Sequence, residues 1–564
     1  MTVENQTGSA VEVAAPPANG HVEPNPFIGP DPSDVFATLG QLTREAITTP
    51  VHAVEHESAL AAALLSIVTG NAEIAPAKGD KRFSDAAWQS NPFYHMYMQG
   101  YLAWSGALDH YIDSTGFDDV VKKRAHFITS LMTDALSPAN MLLSNPAALK
   151  KAVDSGGKSL NEGISNLMHD IITHNGMPSQ VDMHAFRVGE NLAISKGAVV
   201  WKNDVMELIQ YAATTAEVHA RPLLMVPPQI NKFYIYDLAP GKSMVEHLLN
   251  GGIHTFLVSW RNPTLAYRHW NMDTYVSSLV DAIEAVRAIT GSDDINIQGA
   301  CAGALTVAAL LGHLAARKRR VINAATLMVA VMDLGTDSVL GLFATKETIA
   351  AAKLNSQRKG VLEGDEMGRI FAWLRPNDLV WNYWVNNYLM GNPPAAFDIL
   401  YWNNDSTRLS ADFHCQLLDV FANQLLQRPG GMEVLGTPID LREVDCDKFV
   451  VGGVTDHITP WKGVFRTART FGGKTEFVLS SSGHIQALIN PPGNPKSKYF
   501  EGTELPPDPD AWLASAKQVP GTWWDLWRLW LAERSGEMRS APTELGNVRH
   551  PPGVAAPGTY VVEP

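Results

Sequence analysis

The sequence predicts an α/β protein, a mostly parallel sheet carrying a long helical insertion, placed after a mostly α first third. Three observations predict it. From Gly197 onward, short β-rich runs alternate with helical patterns, as crossover connections between parallel strands require. At Gly299-Ala300-Cys301-Ala302-Gly303 a strand-like run, Ile295 to Gln298, turns sharply into an Ala/Leu-rich run reaching about Ala316; strand, turn and helix make a nucleophile elbow. After Asp333 strand patterns stop for about a hundred residues, as expected of a cap inserted over the sheet's carboxyl edge.

Residues 1–30 hold few large apolar side chains and several Pro, Gly and Asn, and are expected to be a disordered tail. A helical N-terminal domain is expected over 31–194. Apolar residues fall at helical spacing from Ser33 to about Val68, with Ser33 or Asp34 as cap. A second helix starts near Asn91-Pro92, with Phe93, Tyr97, Tyr101 and Trp104 as an aromatic stripe expected to pack into a core. Further helices are expected over Asp118 to Leu136 and Asn145 to His174. The catalytic domain is expected over 195–540, with strands at Ala198–Trp201, Glu207–Tyr211, Pro222–Val226, Thr255–Trp260, Ile295–Gln298, Ala325–Val331, Lys448–Val454 and Thr475–Leu479. Met272 to Thr290 reads as a helix between two of them, and the cap insertion covers about 336–440. A Trp-rich helix with Trp523, Trp527 and Trp530 on one side precedes a Pro-rich tail, 541–564, expected to be mobile.

Composition excludes several functions. A net charge of −14 over 564 residues lacks the basic footprint of a nucleic-acid binder. Three cysteines make no disulfide framework, so a reducing cytosol is the expected setting. The N-terminus has neither the basic nor the apolar region of a signal peptide. Runs such as Ala59 to Thr69 and Ala324 to Met332 are shorter than the roughly 20 apolar residues that cross a bilayer, so no membrane span is expected. No Cys/His spacing suggests a metal site, and no phosphate loop or dinucleotide fingerprint is present.

A cysteine where such elbows usually carry serine points to thioester chemistry. Gly299 and Gly303 let the backbone turn tightly, and the helix N-terminus favours a thiolate and a developing oxyanion. An α/β-hydrolase sheet then requires an acid and a histidine later in the chain, each just past a strand. Asp456 follows Lys448–Val454 and His484 follows Thr475–Leu479. The imidazole would take the thiol proton and the carboxylate would orient it. Asp333 is an alternative acid and His457 an alternative base, although His457 adjoins Asp456 on the chain. His414-Cys415 as a rival dyad is disfavoured because consecutive residues point apart, and Cys446 lies among acidic residues that disfavour a thiolate.

These residues resemble the polyhydroxyalkanoate synthases, single-subunit class I or II. The likeness rests on Ser137-Pro138-Ala139-Asn140, on Pro227 through Tyr234, on Ser259-Trp260-Arg261-Asn262-Pro263 and on the elbow. It continues through Tyr401-Trp402-Asn403-Asn404-Asp405-Ser406-Thr407, Asp456 through Trp461 and Ser482-Gly483-His484-Ile485. One departure is Ala304, where the family's elbow usually has a second glycine. The resemblance implies polymerisation of (R)-3-hydroxyacyl-CoA into polyester with release of CoA, and no cofactor, coenzyme A being part of substrate and product. It implies Cys301 as acyl-carrying nucleophile, His484 as base, Asp456 as helping to activate the 3-hydroxyl, and His457 and Trp402 as supporting positions. It also implies a homodimer at the surface of cytoplasmic polyester granules, possible coat proteins as partners, and no nucleic acid. The N–H of Ala302 is expected to donate to the oxyanion, with a second donor near Gln229-Ile230. A cysteine thioesterase or polyester depolymerase, and a non-catalytic granule scaffold with polymer-binding aromatic helices, are the alternative functions.

Overall fold

The computed structural model describes residues 32–563 except 333, 334, 336, 337 and 503, with the backbone alone for 32–34. The expected tail at 1–30, the capping side chains Ser33 and Asp34, and the alternative acid Asp333 lie outside what it describes.

Ten strands form the main sheet: β1 (Gly197–Lys202), β2 (Met206–Tyr211), β3 (Leu223–Val226), β4 (Thr255–Trp260), β5 (Ile295–Ala300), β6 (Ile322–Met328), β7 (Asp447–Gly453), β8 (Thr475–Ser480), β9 (Lys498–Gly502) and β10 (Lys517–Pro520). Their spatial order is β1-β2-β4-β3-β5-β6-β7-β8-β9-β10. The strands from β4 through β8 pair in parallel, and the strands at both edges pair antiparallel. Central strands such as β3, β4 and β5 are buried along their whole length, as a sheet covered on both faces requires. The eight strands read from sequence are all present. Missing from that reading are β9 and β10, which are short and carry Lys498 and Glu501, and Lys517 and Gln518, among few apolar residues.

The N-terminal region is helical: α1 (Pro32–Thr48), α2 (Pro50–Val68), α3 (Pro92–Ser114), α4 (Asp119–Ala135), α5 (Pro146–Asp154) and α6 (Lys158–Thr173). Asn91 caps α3 and Asp118 caps α4. The stretch from Ser33 to Val68 is two helices because Pro50 forces Thr49 out of the helical region. The stretch from Asn145 to His174 is also two, split where Gly156 and Gly157 take positive φ. The aromatic stripe divides: Tyr101 is buried against Phe83 and Trp88, while Phe93 and Tyr97 stand exposed. Among the described helices, α2 is long and apolar enough to cross a bilayer by length and composition, with a mean hydropathy of 1.2. One of its faces packs on α3, where the His56 ring lies edge-on to Tyr111 and its Nε2 is 2.9 Å from Ser114 Oγ.

Within the sheet domain, α7 (Met272–Thr290) and the elbow helix α8 (Ala302–Ala316) match their sequence patterns. The cap between β6 and β7 includes α9 (Lys346–Lys359), α10 (Gly364–Trp373), α11 (Asp398–Asn404) and α12 (Ala411–Asn423). Residues 377–381 and 384–389 of the cap are wound in the wider i→i+5 pattern, and the N-terminal region docks there. Trp384 Nε1 donates to Asn140 O at 3.0 Å, Asn166 Nδ2 to Asn387 O at 3.0 Å, and Tyr388 Oη to Asp170 Oδ2 at 2.7 Å.

The last helix, α13 (Trp523–Arg534), buries Trp523, Trp524, Trp527 and Trp530 under the sheet. That burial removes the Trp-rich helix from the polymer-binding surfaces on which a scaffold function was built. The tail beyond it is not the mobile segment expected. Val199 N–H donates to Val554 O at 2.9 Å and Ala556 N–H to Gly197 O at 2.9 Å, so the tail covers the open edge of β1. Buried Glu207 then accepts from the N–H groups of Thr559 and Tyr560 and from the Thr559 hydroxyl. Tyr560 stacks under the Arg261 guanidinium at 3.9 Å.

Candidate active site

Cys301, Asp456 and His484 follow the carboxyl ends of β5, β7 and β8, three neighbouring or near-neighbouring strands. Cys301 has φ 49° and ψ −124°, a conformation sparsely used by non-glycine residues and typical of strained functional turns. Its N–H donates to Met328 O at 2.9 Å, and its carbonyl accepts from Ala304 N–H at 3.0 Å. A Cβ on Gly299 would come within 2.8 Å of Ala304 Cα, and one on Gly303 within 2.4 Å of Pro227 O. Both glycines are therefore steric requirements of the elbow. Ala304 is fully buried in the core cluster of α8, so the methyl that departs from the resemblance has a packed place.

His484 lies with Nδ1 2.7 Å from Asp456 Oδ2, and Cys301 acts electrostatically on the same imidazole. Burial alone would lower the histidine; the Asp456 carboxylate and Cys301 overcome that and raise it to about 10. Burial would conversely raise Asp456, but His484 and the Thr459 donors hold it below its ordinary value. The carboxylate is saturated. Oδ1 accepts from the N–H groups of Ile458 (2.9 Å) and Thr459 (2.8 Å), while Oδ2 accepts from the Thr459 hydroxyl (2.7 Å). With 0% of its side chain exposed, Asp456 reaches a substrate only through His484. Sequence reasoning gave Thr459 no role; its place two residues beyond His457, in the turn after β7, was the available signal.

His457 is not brought into this chain of hydrogen bonds. Burial first, then Arg375 and His484, push it down to about 4, which makes it a weak base, and its buried Nδ1 has no hydrogen-bond partner. Trp402 anchors the loop after β3 beside the elbow. Its Nε1 donates to Lys232 O at 2.7 Å, and its ring belongs to the cluster on which Cys301 packs. The loop after β3 is pinned to the elbow helix by Gln229 Nε2 donating to Thr306 Oγ1 at 2.9 Å, and to the cap by Thr407 Oγ1 donating to Gln229 O at 2.7 Å. This brings Ile230 and Ala302 to the wall of one cavity with Cys301. Ala302 is the first residue of α8, where a backbone N–H has no partner within the helix.

That cavity, about 100 Å³, opens from the sulfur beneath the cap and is almost wholly apolar. The rival dyad is separated: His414 lines the cavity, whereas Cys415 Sγ turns to Lys353 O at 3.8 Å. Burial raises Cys415 and Cys446 to about 11 each, which suits neither to nucleophilic chemistry. Among the described residues His169, Asp170 and His174 bring three possible metal ligands within 4.8 Å. The Asp170 carboxylate is already occupied by the Ser179 N–H and hydroxyl, Tyr388 Oη and His174 Nδ1, so it latches α6 to the cap.

The chain is similar to known proteins over most of its length. The family description "Poly-beta-hydroxybutyrate polymerase (PhaC) N-terminus" matches residues 79–248, and that of the alpha/beta hydrolase fold matches residues 223–491. The chain is 50% identical over 539 residues to "Poly(3-hydroxyalkanoate) polymerase 1" of Ectopseudomonas oleovorans, covering 96% of each chain. It is 49% identical to polymerase 2 of the same organism, over 97% of this chain and 98% of the other. It is 39% identical to "Poly(3-hydroxyalkanoate) polymerase subunit PhaC" of Cupriavidus necator, over 88% of this chain and 85% of that one.

Proposed function

We infer the reaction from one premise: the chain belongs to the family of poly(3-hydroxyalkanoate) polymerases, enzymes that transfer acyl groups. The proposed substrates are (R)-3-hydroxyacyl-CoA thioesters and the product is a polyester with CoA released. The observation that carries the mechanism is the His484–Asp456 hydrogen bond, with Cys301 acting on the same imidazole and lining an apolar cavity.

Cys301 sulfur, its proton held on His484, attacks the thioester carbonyl. The Ala302 N–H donates to the oxyanion. Collapse breaks the carbonyl–CoA sulfur bond, and the imidazolium proton goes to the departing thiolate. One thioester has replaced another, so the acyl group stays activated; a serine ester would be too stable for the next transfer. A hydroxyl then attacks the Cys301 thioester while His484 Nε2 takes its proton, an oxygen ester forms, and the sulfur leaves as thiolate. Asp456 acts in this second step by orienting His484, because its own oxygens are buried and fully engaged; direct activation of the hydroxyl by Asp456 is therefore dropped from the mechanism. The cap keeps water from the thioester. The polyester granule surface is the proposed place of work, supported by the exposed apolar residues of α2 and α6, including Val54, Leu65, Ile164 and Ile172.

The test is incubation of the purified protein with (R)-3-hydroxyacyl-CoA, following CoA release and insoluble polyester together, with Cys301→Ala in parallel. Release with polymer, abolished by the substitution, is expected. Release of free hydroxy acid without polymer would make the protein a thioesterase, and release unaffected by Cys301→Ala would remove the cysteine mechanism.

A further inference from the structure

The cavity at Cys301 is asymmetric in its chemistry. At the sulfur end it has Cys301, Ala302 and Thr459; everywhere else its wall is carbon except for His414. That histidine is buried in α12 with Nδ1 2.7 Å from the Ser356 hydroxyl, and burial pushes it down to about 4, so it adds no charge. The remaining wall is shared by the sheet domain, with Leu305 and Val329, and the cap, with Met367, Phe371 and, from α12, Leu417 and Phe421. Three parts of an acyl-CoA or polyester could enter such a space. The pantetheine arm carries amides and the polyester backbone carries ester carbonyls, each of which would lose its water without gaining a donor or acceptor from these side chains, at a cost of about 1–3 kcal/mol per group. The alkyl substituent on C3 of the hydroxyacyl unit has no polar atoms to strand. A cavity of about 150 Å³ lined by Leu, Ile and Phe stays dry and takes up benzene, so a space of about 100 Å³ suits a few methylenes.

Resting on the polymerase function proposed above, we propose that this cavity receives the C3 alkyl arm of the hydroxyacyl group, and that Leu417 and Phe421 of the cap set the arm length the enzyme prefers. The sheet domain then supplies the chemistry and part of the wall, and these two cap residues supply the selection. A methyl arm leaves most of the space empty, whereas each further methylene that enters contributes about a fourfold gain until the space is full.

The experiment measures kcat/KM for CoA release with the (R)-3-hydroxybutyryl, hexanoyl, octanoyl and decanoyl thioesters of CoA. For the unsubstituted protein the octanoyl to butyryl ratio is expected to exceed about tenfold. Leu417→Phe, which fills the cavity, is expected to lower that ratio by about tenfold, and Phe421→Ala to move the optimum toward the decanoyl thioester. A variant that merely weakens the fold scales all four substrates alike, so the ratios isolate the effect, and either variant alone suffices if the other fails to fold. A flat series for the unsubstituted protein, or variants whose ratios stay unchanged, would overturn the assignment while leaving the polymerase function standing. CoA release from none of the four would remove that function and this assignment with it.

Discussion

The sheet domain and the N-terminal helical region solve the burial problem in opposite ways. Two large clusters fill the sheet domain on either face of the strands, and even its Trp-rich last helix is turned inward. The helical region, less than half as long, has one small cluster of its own around Phe83, Trp88, Met98 and Tyr101, and shares a second with Leu342 and Phe343 of the cap. Among the described residues, twenty of the thirty large hydrophobic side chains that stand exposed lie between Phe36 and Met183. The sheet domain is therefore a closed unit that holds the reactive groups, and the helical region is a layer fixed to the cap with apolar residues facing outward. Such an exposed apolar face marks an interaction surface.

The sharpest way to break this comparison is to remove a group of the proposed site from the first region and an exposed one from the second. Asp456→Asn is expected to lower CoA release by about 10³-fold or more, because the imidazole loses its orientation, while Ile172→Ser leaves release from soluble substrate within about twofold. Their pH behaviour should differ too. His484 is raised in the folded state to about 10, above its unfolded value near 6.5. Its pairing therefore stabilises fully below about pH 6.5 and is lost as pH rises through about 10. Denaturant midpoints should fall across that window for the unsubstituted protein and stay flatter for Asp456→Asn. A parallel fall in both would show that His484 is not the group responsible.

The next effect is on stability alone. Trp527 is fully buried, and its Nε1 donates to Thr326 Oγ1 at 2.8 Å under the centre of the sheet. Trp527→Ala is expected to cost about 3–5 kcal/mol, read from chemical denaturation. A loss below about 1 kcal/mol would mean the closed core does not extend to α13.

The same contrast explains what was legible in the sequence. In the sheet domain local pattern and tertiary role coincide: β4 and α7 match their predicted limits because continuous apolar runs and a capped amphipathic pattern have one outcome there. The order Cys301, Asp456, His484 was readable because each follows a strand that can be recognised by itself. In the helical region apolar periodicity ran across Thr49-Pro50 and Ser155-Gly156-Gly157, and only the backbone restrictions of Pro and Gly mark the breaks. Exposure defeated periodicity altogether, since Phe93 and Tyr101 share one stripe and end in opposite environments. The ordered tail was illegible for another reason: its Pro-rich composition says nothing of Glu207, which collects three of its donors from more than 350 positions away.

A smaller effect tests the seam between the regions. Gly163 of α6 sits so close to the cap that a Cβ would lie 1.9 Å from Tyr388 O. Gly163→Ala must push helix and cap apart, at about 1–3 kcal/mol by analogy with overpacking. Hydrogen exchange should show faster opening of α5 and α6 with β5 to β8 unchanged. Faster exchange throughout would mean that the two regions unfold together and that the layer is part of the closed unit.

The smallest expected change in stability belongs to the outer face of α2, and it carries the functional side of the comparison. Val54, Leu65 and Val68 are each more than half exposed, so replacing them by serine removes little buried area and should move unfolding by no more than about 0.5 kcal/mol per site. If this face rests on the hydrophobic product, each site instead loses the transfer of roughly half a side chain from water, about 1 kcal/mol, and the three together weaken partition onto polyester particles by about 100-fold. Sedimentation of the purified triple variant with particles of polyester, beside the unsubstituted protein, reads this directly, and CoA release from soluble thioester serves as the control for folding. Unchanged sedimentation with unchanged turnover would assign the exposed residues of α2 to some other contact and leave α6 as the face to examine.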